Sequence, residues 1–180
     1  MDIPHNVGDF EQLVLLGVLQ LADDAYGAAI RQEIHARSGR DVSINAVYTT
    51  LDRLEQKGLL RSWIGGPTAQ RGGRRRKFYA LRPAGALAVD RGAADALRAR
   101  GRSLLPSGIK KVQGDFGGGD CVSLLDPDGV EFGRGLVNYP AADVIKVMGR
   151  RSAEISGVLG YKVADEIIHR DNFVLLKEIG

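Results

Sequence analysis

The alternation of apolar and polar positions divides the chain into two stretches with different rhythms. From Leu13 to Leu21 nearly every residue is apolar, and the pattern predicts a helix over about Phe10 to Leu21. Asp9 is placed to cap it, with Gln12 three residues on as the reciprocal partner. A helix apolar all round must be buried on more than one side. A second helix runs from about Tyr26 to Arg37, with Ala29, Ile30 and Ile34 on one face, and Ser38-Gly39 ends it. Ser43 is a good cap for a third helix, about Ile44 to Lys57. Its apolar stripe is Ile44, Val47, Leu51 and Leu54; Asn45, Tyr48, Thr49, Asp52, Arg53 and Gln56 fall on the opposite side. Two short strands follow, Leu60 to Ile64 and Arg76 to Leu81, separated by a Gly- and Pro-rich basic loop.

Beyond Arg82 the pattern shortens. Leu87 to Asp90 reads as a strand and Arg91 to Arg100 as a short helix. Strand-like Ser103 to Leu105, a turn at Pro106 to Ile109 and a strand from Cys121 to Leu125 come next. Asp126-Pro127-Asp128-Gly129 is a strong turn signal, and Glu131 to Tyr139 makes a further strand. Three helices and a hairpin with a long basic tip make the winged-helix plan. The expected fold class is α+β: a winged helix-turn-helix domain over residues 1–85, then a small β-barrel with short helices over 86–180.

Charge sharpens this picture. The net charge is only +3, but from Lys57 to Arg82 there are eight Lys or Arg and no Asp or Glu. From Leu104 onward nine basic residues face eleven acidic ones. A one-signed stretch of that length implies a polyanionic partner, although a solvated basic loop has the same composition. With 44% apolar and 26% charged residues among 180, the chain has a globular balance and room for one large or two small domains. Its longest apolar run, Leu13 to Leu19, is far short of a membrane span, and the N-terminus lacks the charge pattern of a secretory signal. The single cysteine, Cys121, excludes an internal disulfide framework; a cytoplasmic location and no membrane contact are expected.

The winged-helix reading assigns chemistry to named side chains. Asn45 and Arg53 suit bidentate contacts to base edges, Thr49 a base or a phosphate, and Tyr48 a phosphate. Arg71, Arg74, Arg75, Arg76 and Lys77 suit phosphates or a narrow minor groove. Alternate residues on a strand point oppositely, so these five cannot all reach DNA together. Catalysis finds no support: Gly117-Gly118-Gly119 is followed by Asp120 rather than Gly-Lys-Ser/Thr, and His5, His35 and His169 lack metal-ligand spacing. No enzyme activity, metal or cofactor is expected.

The residues also resemble two known families. Leu13 to Leu21, Ala25-Tyr26-Gly27, the run Val47 to Leu60 and Arg74 to Leu81 look like PadR-family transcriptional regulators over about residues 8 to 85. That resemblance implies double-stranded DNA as partner and a homodimer. It breaks off after Pro83-Ala84-Gly85, where PadR proteins continue into a long dimer helix. The segments Val89 to Ala93, Gly101 to Ile109, Gly135 to Tyr139, Gly149 to Ser152 and Ile168 to Asn172 resemble a PUA domain, specifically the C-terminal one of glutamate 5-kinases, over about 87 to 176. It implies a surface for structured RNA around Arg98, Arg100, Arg102, Lys110 and Lys111, and it brings no kinase domain with it. The first function expected is sequence-specific transcriptional regulation with an appended RNA-binding module. An RNA-binding protein led by its second half, or a non-functional fusion remnant of a glutamate 5-kinase C-terminus, are the alternatives.

Overall fold

The computed structural model describes residues 7–65, 75–99 and 101–176. The chain divides into two compact units, with the break between Arg82 and Pro83.

In the first unit, α1 (Asp9–Leu21), α2 (Gly27–Ser38) and α3 (Ile44–Gln56) precede an antiparallel hairpin of β1 (Leu60–Ile64) and β2 (Lys77–Leu81). The cap of α1 is Gly8 rather than Asp9, and Glu11 rather than Gln12 reaches back to the cap N–H at 3.1 Å. The shift has a tertiary cause. Glu11 is buried and takes both its oxygens to Lys57 Nζ, at 2.9 and 2.8 Å, which ties α1 to the end of α3. Gly39 ends α2 in the left-handed region, and Ser43 caps α3 by accepting the Ala46 N–H. Val14, Leu15, Val18 and Leu19 of α1 pack with Ile30, Ile34, Val47, Leu51 and Leu54 in a core closed by Tyr79 and Leu81. Phe10, Leu13, Leu16 and Leu21 stay partly exposed, so α1 is buried on most but not all of its circumference.

The second unit is built on a five-stranded sheet in the order β4 (Ile109–Gly114), β3 (Gly85–Val89), β5 (Cys121–Leu125), β6 (Glu131–Leu136), β7 (Phe173–Leu175). β3 and β5 run parallel and the other neighbours antiparallel. The sheet is open, with β4 and β7 at its edges, which corrects the expected β-barrel. Parallel neighbours cannot be joined by a tight hairpin. The chain therefore leaves β3 through α4 (Arg91–Arg98) and returns along β4 before entering β5. The strand expected at Ser103 to Leu105 reduces to a single bridge between Leu104 and Ile168. Helices α5 (Ala141–Val147) and α6 (Ile155–Leu159) bury Val144, Val147 and Ile155 in a core with Leu87, Leu97, Val122, Leu124 and Tyr139. Among the described residues no helix is long and apolar enough to cross a membrane, and no group of three metal-ligating side chains converges.

Candidate nucleic-acid interface

The outward face of α3 follows from its inward one. Val47, Thr50, Leu51 and Leu54 are buried, and that obliges Asn45, Tyr48, Thr49, Asp52, Arg53 and Gln56 to face solvent, where all six are exposed. Tyr48, 42% exposed, lies across the first residue of α2: a Cβ on Gly27 would stand 2.5 Å from its ring. Glycine at 27 thus lets the phenol hydroxyl reach the start of α2. No side chain caps that helix, and its first N–H groups are open to an anion.

The basic residues of the hairpin separate by strand alternation. Lys77 turns toward α3, where its ammonium sits 3.1 Å from Glu55 Oε2 and 3.9 Å from Asp52. Partial burial lowers its pKa, but the bond to Glu55 and the surrounding negative charge outweigh this and hold it above the ordinary lysine value. Hydrogen bonds from Ser62 and from Lys77 in turn hold the Glu55 carboxyl below its usual range. Lys77 therefore neutralises two carboxylates beside the polar face of α3.

Arg76 lies on the opposite face of the hairpin, its guanidinium 4.4 Å from the centre of the Tyr26 ring. Tyr26 meets Phe78 edge to face at 5.9 Å, Phe78 stacks on its cross-strand partner Trp63 at 5.9 Å, and Arg61 lies 5.6 Å over Trp63. Arg75 is exposed. Arg71 and Arg74 lie outside the described residues, as does Arg100. Neither Arg61 nor Trp63 was expected from the sequence. Strand alternation put the two on one face, but the stack depends on Tyr26, which is distant in the chain.

In the second unit the expected cations are scattered. Arg98 is committed to its own fold: it bonds Asp126 Oδ2 at 2.8 Å and lies 4.6 Å over the Phe132 ring, and that bond draws the Asp126 carboxyl below its ordinary value. Arg102 is exposed and lines a cleft of about 400 Å³ between α4 and the turn at Pro106–Gly108. Asp90, also on its wall, caps α4 through the Ala93 N–H. Lys110 and Lys111 are exposed on edge strand β4. Ile109 pairs with Val89 and Lys111 with Ala88, so Lys110 is the extra residue of a bulge. Charge and a bulge on an edge also deter stray strand pairing, a structural reason for the same residues. Arg150 and Arg151 are exposed after α5, where the Gly149 N–H donates to Pro106 O at 2.8 Å; this brings them beside the same turn. Sequence reading did not count them, because Asp143, Glu154 and their neighbours balance them in a tally of charge.

Comparison with known proteins separates the same two regions. The model for the transcriptional regulator PadR-like family matches residues 15–91, and that for the PUA domain matches residues 85–159. Glutamate 5-kinase from Citrifermentans bemidjiense is 48% identical over 129 residues, 71% of this chain. Those residues are 34% of the kinase, so the chain spans about a third of the length of this relative. A PadR family transcription regulator from Clostridium difficile shares 29% identity, covering 41% of this chain and 72% of the regulator with a TM-score of 0.34. A PUA domain from Aeropyrum pernix shares 17% identity, covering 73% and 84% with a TM-score of 0.38. One polypeptide therefore carries both a PadR-like domain and a PUA domain.

Proposed function

We propose that the chain is a homodimeric, sequence-specific regulator of transcription that binds double-stranded DNA in the cytoplasm and has no catalytic activity of its own. The observation that carries this reading is the exposed polar column on α3 inside a PadR-like domain. An α-helix fits the major groove, where base edges differ in their donors and acceptors. Asn45, Thr49 and Arg53 are the residues assigned to bases. Tyr48, Arg71, Arg74, Arg75 and Arg76 are assigned to phosphates, and Lys77 supports them by neutralising Asp52 and Glu55. We assign residues 1–85 to the DNA-binding module and 86–180 to the PUA module; the break between Arg82 and Pro83 supports a boundary there. The partly exposed apolar residues of α1 support the homodimer.

The PUA module adds a surface for structured RNA at the cleft lined by Arg102, with Lys110 and Lys111 beyond it. A second reading is favoured by the 48% identity to a glutamate 5-kinase: the module is the retained C-terminal piece of such an enzyme and contributes no binding. Titrating the full chain with duplex DNA and with a structured RNA at matched salt tests both. DNA binding in the presence of weaker RNA binding supports the first reading. RNA bound more tightly than any duplex would make the protein an RNA binder instead.

A further inference from the structure

We propose that Arg61 and Arg76 form a pair of DNA-phosphate contacts held in place by the aromatic stack Trp63–Phe78–Tyr26, so that the base of the wing grips the duplex as well as its tip. The inference rests on the duplex-DNA reading above and extends it to residues that no family resemblance assigns.

Five side chains make one continuous stack on the outer face of the hairpin. A guanidinium closes each end, Arg61 at 5.6 Å from Trp63 and Arg76 at 4.4 Å from Tyr26. A planar guanidinium lying on a ring keeps its edge N–H groups free for a second partner, and the ring limits the conformations that must be frozen when that partner arrives. Neither arginine has an ion pair among the described residues, and both are exposed. Lys77 differs: one residue from Arg76, but on the other face, it is already matched to Asp52 and Glu55. The hairpin thus sorts its cations into a neutralised face and an uncompensated one.

Two further observations select DNA as the occupant. Trp63 is 39% exposed and Ile64 58%, an apolar surface bordered by positive charge without an acid anywhere from Lys57 to Arg82. The stack also ends at Tyr26, the residue before Gly27, where the Tyr48 ring of α3 comes down. The uncompensated face is therefore continuous, through α2's first turn, with the polar face of α3.

Trp63 is the one tryptophan in the chain, so its emission reports on this face without a label. The test titrates the full chain into a fluorescently labelled duplex between about 50 and 200 mM salt, following anisotropy of the DNA and emission of Trp63 together. The emission should change in step with the anisotropy. Arg61→Gln and Arg76→Gln should each flatten the logarithmic salt slope by about 0.9, and the double variant by about 1.8. Trp63→Phe, which preserves the stack, should bind within about twofold of the native chain, the scatter of ordinary surface changes. Trp63→Ser removes the platform but neither charge, and should bind more weakly than Trp63→Phe. Circular dichroism checks that each variant is folded; should Trp63→Ser fail, the two arginine variants still decide. Native binding with an unchanged slope in the double variant and silent Trp63 emission would overturn the inference and leave the DNA reading standing. Emission that follows protein concentration rather than duplex would make this face a protein contact and overturn it too. A native chain that binds no duplex at about 50 mM salt would remove the DNA reading and the inference together.

Discussion

Val47, Leu51 and Leu54 are withdrawn fully from solvent, and the pitch of α3 then fixes where Asn45 and Thr49 stand. A good bidentate base contact discriminates by about 1 to 3 kcal/mol. Asn45→Ala should therefore lower affinity for a cognate duplex roughly 5- to 150-fold and leave a scrambled duplex nearly unaffected, which parallel titrations would show. Arg53→Ala should act in the same direction but near the lower end, because the guanidinium charge also lies beside Glu11. Gly27 offers a complementary test. A methyl there must displace the exposed Tyr48 ring, which can swing into solvent, so Gly27→Ala should cost less than about 1 kcal/mol of stability. It should still weaken cognate and scrambled duplexes together, since the group displaced is assigned to a phosphate. Equal losses on both duplexes for Asn45→Ala would instead reduce α3 to a backbone anchor.

Among the elements, α1 carries two separate jobs. Its Glu11 joins α3 through Lys57, with the Gly8 N–H and the Arg53 charge also facing the carboxyl. Burial opposes ionisation, but the hydrogen bonds from Lys57 and Gly8 win, and the Glu11 pKa lies below its ordinary value. The Glu55 carboxyl is shifted the same way by Ser62 and Lys77. Carboxyls with lowered folded pKa values bind fewer protons folded than unfolded. Their contribution is complete above the ordinary glutamate pKa of about 4.3 and is lost as pH falls through the depressed folded values. Thermal unfolding of the full chain should therefore show the N-terminal unit losing stability below about pH 4.3, and Glu11→Gln should shallow that dependence. The second job belongs to Leu13 and Leu16, partly exposed on α1. Leu16→Glu should shift sedimentation toward the monomer without unfolding the chain; an unchanged mass would exclude this face from the dimer.

The elements also show what a single sequence discloses. Strands β1 and β5 lie where alternation and turn residues put them, and Ser43 does cap α3. Strand β4 escaped because the bulge at Lys110 breaks its alternation in Ile-Lys-Lys-Val-Gln-Gly. The cap of α1 moved by one residue because Lys57, far along the chain, holds Glu11. Arg98 and Lys77 looked like free cations for the same reason: Asp126 and Glu55 are distant in sequence and adjacent in space. The polar face of α3 was legible since one helix carries all of it. The stack at the wing base was not, since it draws on three segments.

At the scale of the whole molecule, each unit has its own buried core and its own sheet. The Arg82 N–H donates to Leu59 O in the first unit and the Ala84 N–H to Cys121 O in the second, with Pro83 between them. A joint this short gives the PadR-like domain a successor unlike the long dimer helix expected after it, and leaves α1 with a larger part in assembly. The account stands or falls on sequence-specific duplex binding by the intact chain. The most direct measurement is selection of bound fragments from sheared genomic DNA by the purified protein, read by sequencing. A recurring two-fold symmetric motif with half-sites about 10 base pairs apart, lost in Asn45→Ala while bulk DNA is still retained, is the predicted result. Retained fragments that share no motif, or a motif that survives Asn45→Ala, would contradict it.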